Sequence, residues 1–212
     1  MHNTLRLPIA LLLFALAVPA SAQQAESPTS PDQEVPQTTK PTTPEVEEPS
    51  VEKKVVFLLS GYEYFPSRAD LDAVAGADEI SALLRGFALD EDLRPSLRLR
   101  AVDALGYYDD DETTKLLVEL STTAPKADLP RRKLRTAGLL RHHAITALAR
   151  SKKAESVSVL ESIFAEDEVQ LTLTVVHALG KHGGKEGREA LRRLSSQSDH
   201  KIVQREAAKW VK

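Results

Sequence analysis

Six histidines, a run of four carboxylates and two glycine-bearing turns are where this 212-residue chain could hold a metal, a phosphate or a nucleophile. None has the spacing those chemistries require. His142 and His143 are adjacent, so on a helix their side chains point about 100° apart, poorly placed to share an ion. His177 and His182 straddle a helix end and a glycine turn, and His200 opens the last helix. No H-E-x-x-H pair occurs, and the chain has no cysteine to complete a zinc site. His143 and His177, on neighbouring helices, are the pair that folding could bring together; surface or groove histidines are the simpler reading. Asp109-Asp110-Asp111-Glu112 lacks the twelve-residue loop, central glycine and terminal glutamate of a calcium hand. Gly183-Gly184-Lys185 lacks the upstream glycine and following Ser or Thr of a phosphate loop, and Leu59-Ser60-Gly61 lacks the first glycine of a nucleophile elbow. No catalytic, metal or cofactor-binding residue is assigned, and no cofactor is implied.

What remains is chemistry suited to contact. Arg131, Arg132, Lys133, Arg135 and Arg141 concentrate positive charge, with His142 and His143 beyond them. Such a run can steer an acidic partner or make weak contact with an anionic envelope surface, lipid or cell-wall polymer; it is equally what a solvated helix start looks like. Tyr62, Tyr64 and Phe65 gather three of the nine Tyr and Phe residues, and Tyr107 and Tyr108 form a second pair. Tyrosine buries area while keeping a polar tip, so these five either face a partner or seal the end of the fold. The candidate interaction residues are therefore Tyr62, Tyr64, Phe65, Arg131, Arg132, Lys133, Arg135 and Arg141.

The elements that must position them are helices. The motifs Ala73-Val74-Ala75-Gly76, Asp103-Ala104-Leu105-Gly106, Thr146-Ala147-Leu148-Ala149 and His177-Ala178-Leu179-Gly180 each end an amphipathic segment. After a short polar turn each is followed by a second striped segment: Ile80–Leu89, Thr113–Leu120, Ser156–Phe164 and Gly187–Leu194. Lys201–Val211 is a further helix of the first type. The step is 30 residues from Gly76 to Gly106 and 31 from Leu148 to Leu179, but 43 from Leu105 to Leu148, which predicts an insertion around residues 121–135. A helical pair cannot hide its apolar stripe alone; stacked pairs bury one another's faces. Ala101, Ala104, Ala144, Ala147 and Ala178 permit close approach, with Leu105, Leu148 and Leu179 filling the space between layers. Gly106 and Gly180 suit helix C-termini in a left-handed conformation. Asp109–Asp111 would cap or complement Thr113–Leu120. Arg98, Arg100, Arg141 and Arg205 are expected to lay their stems along the ridges and pair with acids of the next unit.

Residues 53–65 are ambiguous: Val55–Leu59 is apolar but broken by Ser60-Gly61, and fits a short strand, an extended segment or an irregular helix. Pro66 sits where a helix could begin. Residues 23–52, rich in Pro, Thr, Ser, Gln and Glu, predict a disordered linker. Before it, Arg6, the uncharged Leu7–Val18 and Ala20-Ser21-Ala22 have the order of a secretory signal peptide cleaved after Ala22, too short an apolar stretch for a spanning anchor. The expected location is thus periplasmic or secreted, with no stable membrane anchor. From Lys53 onward 26 Lys and Arg face 24 Asp and Glu, too even a balance for a nucleic-acid binder.

Arg100-Ala101 leading into Ala104-Leu105-Gly106, then a polar turn and a second helix, resembles the HEAT-repeat family, closest to short bacterial repeats of about 31 residues, over roughly residues 66–212. The resemblance implies an all-α, right-handed α-solenoid of antiparallel helical hairpins that binds proteins, and carries no shared catalytic residue onto this chain. Some bacterial relatives of that kind are bilin lyases, which keeps a HEAT-like lyase or ligand-binding protein as an alternative. The leading expectation is a non-enzymatic scaffold or adaptor of the bacterial cell envelope with a protein partner; a structural component binding anionic cell wall or lipid is the other.

Overall fold

Ser50 starts the first helix: its hydroxyl accepts from the Lys53 N–H at 3.3 Å, satisfying one of the donors a helix start leaves open. The computed structural model describes residues 48–165 and 168–211, and among them all regular structure is helical. Helix α1, Val51–Ser60, settles the ambiguous lead-in. Val55 and Leu59, four apart on one stripe, are fully buried, and the β-branched pair at its centre does not stop the helix because that stripe docks on the body of the fold. The helix also takes in Val51 and Glu52, which composition had placed in the linker. The expectations for the signal peptide and for the linker up to residue 47 lie outside the described residues.

Pro66 does not begin a helix. Ser67 does, through a capping box with Asp70 that opens the short α2, Arg68–Asp72. Then follow α3, Ala77–Leu89; α4, Pro95–Leu105; α5, Asp111–Thr122; α6, Arg131–Lys152; α7, Val157–Phe164; α8, Val169–His182; α9, Gly184–Ser195; and α10, Lys201–Ala208. A 3-10 turn, Lys153–Ser156, joins α6 to α7. Asp110 caps α5, accepting from Thr113 N–H at 2.9 Å. Burial alone would raise the Asp110 pKa, but that bond, the Thr113 hydroxyl and the nearby Arg85 hold it below the usual carboxylate value. The inserted residues went into a loop after Thr122 and into α6 itself, 22 residues against the 11 of α4.

The helices fall into two rows. In one, α4 packs on α6, α6 on α8 and α8 on α10; in the other, α3 packs on α5, α5 on α7 and α7 on α9. Between the rows α3 lies against α4, α5 chiefly against α6, and α9 against α8 and α10. Helix α6 divides the apolar interior. Its Ala144, Ala147 and Leu148 join the cluster built by α1–α5, whereas Ile145 and Ala149, one position on, join that of α7–α10. This is why Ala144–Ala149 is buried almost all round while the start of the same helix is exposed. Among the described residues no helix is long and apolar enough to cross a membrane.

Two glycine assignments change. Gly106 caps α4 with φ −63°, not left-handed, and Gly180 lies inside α8. Both are glycine because a neighbour comes too near. A Cβ on Gly106 would stand 3.0 Å from the Ala147 Cα, and one on Gly180 only 2.2 Å from the Trp210 ring.

Candidate interaction surface

The aromatic lead-in is divided by what its neighbours take. Tyr62 is 97 % exposed and touches nothing of the fold that fixes it. Tyr64 donates its hydroxyl to Asp70, and this bond with those from Ser67 holds the Asp70 pKa below the usual carboxylate value. Phe65 stacks obliquely on Tyr107 at 6.4 Å between centroids. Arg100 lies over the Phe65 ring and Arg150 over the Tyr107 ring, 5.4 and 5.3 Å from their centroids, so two guanidiniums bracket the aromatic pair. Tyr108 is buried and donates to Asp72 at 2.9 Å; burial first, and that bond second, push its pKa well above 10. Phe65, Tyr107 and Tyr108 therefore tie the lead-in and α2 to the turn after α4, while Tyr64 ties the lead-in to α2.

Several of the cations bind main-chain carbonyls, which the expectation of acid pairing did not include. Arg100 donates to the main-chain carbonyls of Gly61 and Tyr64, Arg98 to Ala88 at 3.2 Å, Arg150 to Asp103 at 3.2 Å and Arg68 to Tyr107 at 3.1 Å. Lys152 does the same to Asp109 at 2.7 Å. These carbonyls lie at or just beyond the ends of α1, α3 and α4, where the helix leaves acceptors unpaired and the dipole is negative. A long cationic side chain on the neighbouring helix reaches these carbonyls, and Arg68 also pairs with Asp72 at 3.2 Å. Arg205 has an acid beside it, Glu206 at 3.6 Å.

The basic run also splits. Arg141 is only 3 % exposed, and its Nε donates to the Ser121 carbonyl at 2.8 Å, near the end of α5. It leaves the candidate surface: ten residues along the helix from Arg131, it has turned into the core. Lys133 donates to Glu91 at 2.7 Å, which raises its own pKa and lowers that of Glu91. Arg131, Arg132 and Arg135 stay exposed. Where the start of α6 faces the turn between α3 and α4, a groove of about 420 Å³ opens, with Arg94, Arg98 and Arg132 on its walls and Leu93, Leu129 and Leu140 among its apolar lining. Arg94 and Arg98 were missed in the sequence. Their signal was a helix start at Arg94-Pro95 with no acid in its first turn, yet nothing local told that α6 would lie opposite. Phe57 was missed as well: it is 79 % exposed, on the face of α1 away from Val55 and Leu59, beside a second groove of about 520 Å³ shared with Leu58 and Val74.

The histidines have separate neighbours. His143 Nδ1 is 2.8 Å from Asp103, His142 Nδ1 is 2.7 Å from the Thr174 hydroxyl, and His177 meets the Trp210 ring edge-on at 6.2 Å. Burial lowers the His142 and His182 pKa values. Among the described residues no three His, Cys, Asp or Glu side chains gather as a metal site. The described residues thus present a groove with guanidinium walls, exposed aromatics in the lead-in, and cation-to-carbonyl bonds between helices. Compared with protein-family models, curated proteins and solved structures, the chain matches none.

Proposed function

We propose that this protein is a non-enzymatic interaction scaffold of the bacterial cell envelope, built as a HEAT-like right-handed solenoid and exported through a signal peptide cleaved near Ala22. The observation that carries the reading is the two-row packing, α4–α6–α8–α10 against α3–α5–α7–α9, in which each helix meets the helix two places along the chain. Stacked repeats give that pattern, because each unit buries its stripe against the next and leaves one long surface open to a partner. The close glycine approaches at Gly106 and Gly180 support it, since they fall at the same place in two of the repeated motifs. Exposed Phe57, Tyr62 and the arginine-walled groove supply contact chemistry at the N-terminal half, and the protein partner is taken to meet that half.

The test is photocrosslinking in the producing cells, with a photoreactive residue at Phe57, Tyr62, Thr136 or Leu173. One discrete protein adduct from the N-terminal positions is expected, with N-terminal sequencing of the envelope-fraction protein starting at Gln23. Absence of any specific adduct, or recovery of the chain only from the cytosol, overturns the scaffold reading.

A further inference from the structure

The groove at the start of α6 holds an imbalance of charge over an apolar floor. Arg94, Arg98, Arg132 and Lys133 line it against Glu91 and Asp92. Lys133 and Glu91 neutralise each other across the opening. Arg98 spends its Nε on the Ala88 carbonyl. Arg94 and Arg132 are exposed, and their guanidinium groups have no hydrogen-bond or ion-pair partner among the described residues, although such groups are strong, directional carboxylate donors. At about 420 Å³ the cavity falls within the roughly 300–1,000 Å³ of ligand pockets, and Leu93, Leu129 and Leu140 give it apolar lining.

We propose that this groove docks an acidic peptide segment of a protein partner, in which carboxylate side chains flanking an apolar residue meet Arg94, Arg98 and Arg132 while the apolar residue sits on Leu129 and Leu140. A uniform polyanion such as a lipid surface or wall polymer suits the site less. Such ligands spread over convex basic faces, whereas here the cations line a concavity and Asp92 stands among them to repel an unbroken row of charge. A peptide places its carboxylates selectively and brings the apolar side chain that the floor requires. The insertion that breaks the 31-residue spacing is what makes the groove, because α6 without its extra turns would not face the α3–α4 turn. The inference rests on the scaffold reading for the kind of partner, and on the groove alone for its chemistry.

The full chain is used to select from a displayed library of short random peptides, and binding of an enriched peptide is followed by fluorescence polarisation. Enrichment of Asp or Glu on either side of an apolar residue is expected. The double variant R94A/R132A should bind roughly tenfold more weakly or worse, and Glu91→Gln, which frees Lys133, roughly threefold more tightly. Thr136→Tyr fills the groove without altering charge and should also abolish binding. Equal thermal unfolding of the variants and the parent checks that they fold, which the exposure of Arg94 and Arg132 leads one to expect. Enriched peptides without carboxylates, or affinity indifferent to both R94A/R132A and Thr136→Tyr, overturns the proposal. Arginine-dependent binding to phosphatidylglycerol vesicles with no peptide enrichment also overturns it, in favour of a lipid surface. Failure here with crosslinks still formed from Phe57 or Tyr62 removes the groove and leaves the scaffold; peptide binding without any cellular adduct does the reverse.

Discussion

The aromatic lead-in at Tyr62–Phe65 and the basic run at Arg131–Arg141 are alike as sequence: each is a short local excess of one side-chain type. In the fold they part. The lead-in is engaged although its rings stay partly exposed: Tyr64, 48 % exposed, is bound to Asp70, and Phe65, 36 % exposed, is held between Tyr107 and Arg100, whereas Tyr62 is 97 % exposed. The basic run is largely open, with Arg131, Arg132 and Arg135 exposed and only Arg141 drawn inside. A cluster becomes a surface when the neighbouring elements leave its polar and aromatic groups unmatched. The lead-in runs beside α4 and the Tyr107-Tyr108 turn, which supply matching groups; the start of α6 faces the α3–α4 turn, where Glu91 pairs with Lys133.

The contrast is strongest inside the basic run. Arg141→Ala should destabilise the fold by about 3 kcal/mol, since it removes buried stem packing and leaves the Ser121 carbonyl without that donor, whereas Arg135→Ala should stay within about 0.5 kcal/mol. Urea unfolding of the two variants measures both, and equal midpoints would erase the division. In the lead-in, Phe65→Ala should cost about 1.5 kcal/mol for its lost contacts with Tyr107 and Arg100, and Tyr62→Ala close to nothing. Thermal melts that rank these two the other way would make Tyr62 part of the fold.

The third comparison is in pH. Tyr108 keeps its proton in the folded state at pH values where an unfolded tyrosine, with a pKa of about 10, has lost it. The unfolded chain thus binds fewer protons there, so the contribution of Tyr108 to stability is constant below about pH 10 and falls as pH rises above it. Tyr108→Phe should lose about 1 kcal/mol at neutral pH with its bond to Asp72, and should show a shallower alkaline decline than the parent. An unchanged slope would mean that Tyr108 does not carry it. Smallest of all, Lys133→Ala should leave the urea midpoint almost unchanged, because its pair with Glu91 is largely exposed.

Much of this organisation was legible in the chain. Apolar spacing placed Ile80–Leu89, Thr113–Leu120, Ser156–Phe164 and Gly187–Leu194 within three residues of the ends of α3, α5, α7 and α9, and the 43-residue step marked the region where α6 is extended. Periodicity and capping act between residues a few positions apart, so the sequence carries them openly: Asp110 before Thr113 reads as a cap and is one. Lead-in helix α1 was not legible, because ten residues with a β-branched centre gain their helicity from docking Val55 and Leu59, and docking is not local.

The groove was half legible. Arg131, Arg132 and Lys133 stood out as a run, but Arg94 and Arg98, some thirty-five residues away, joined them only when α6 came to lie opposite the α3–α4 turn. The same holds for Gly106 and Gly180, whose type suggested a helix end while the real constraint came from Ala147 and Trp210 arriving from elsewhere in the chain. By itself, then, the sequence determined where the apolar-striped helices after Gly76 form and how often the pattern recurs, since those depend on short-range hydrogen bonding and periodicity. Which arginines are buried, which carbonyls they satisfy and which cations stay free was decided only by tertiary packing, because each depends on the distance between groups that the chain itself keeps far apart.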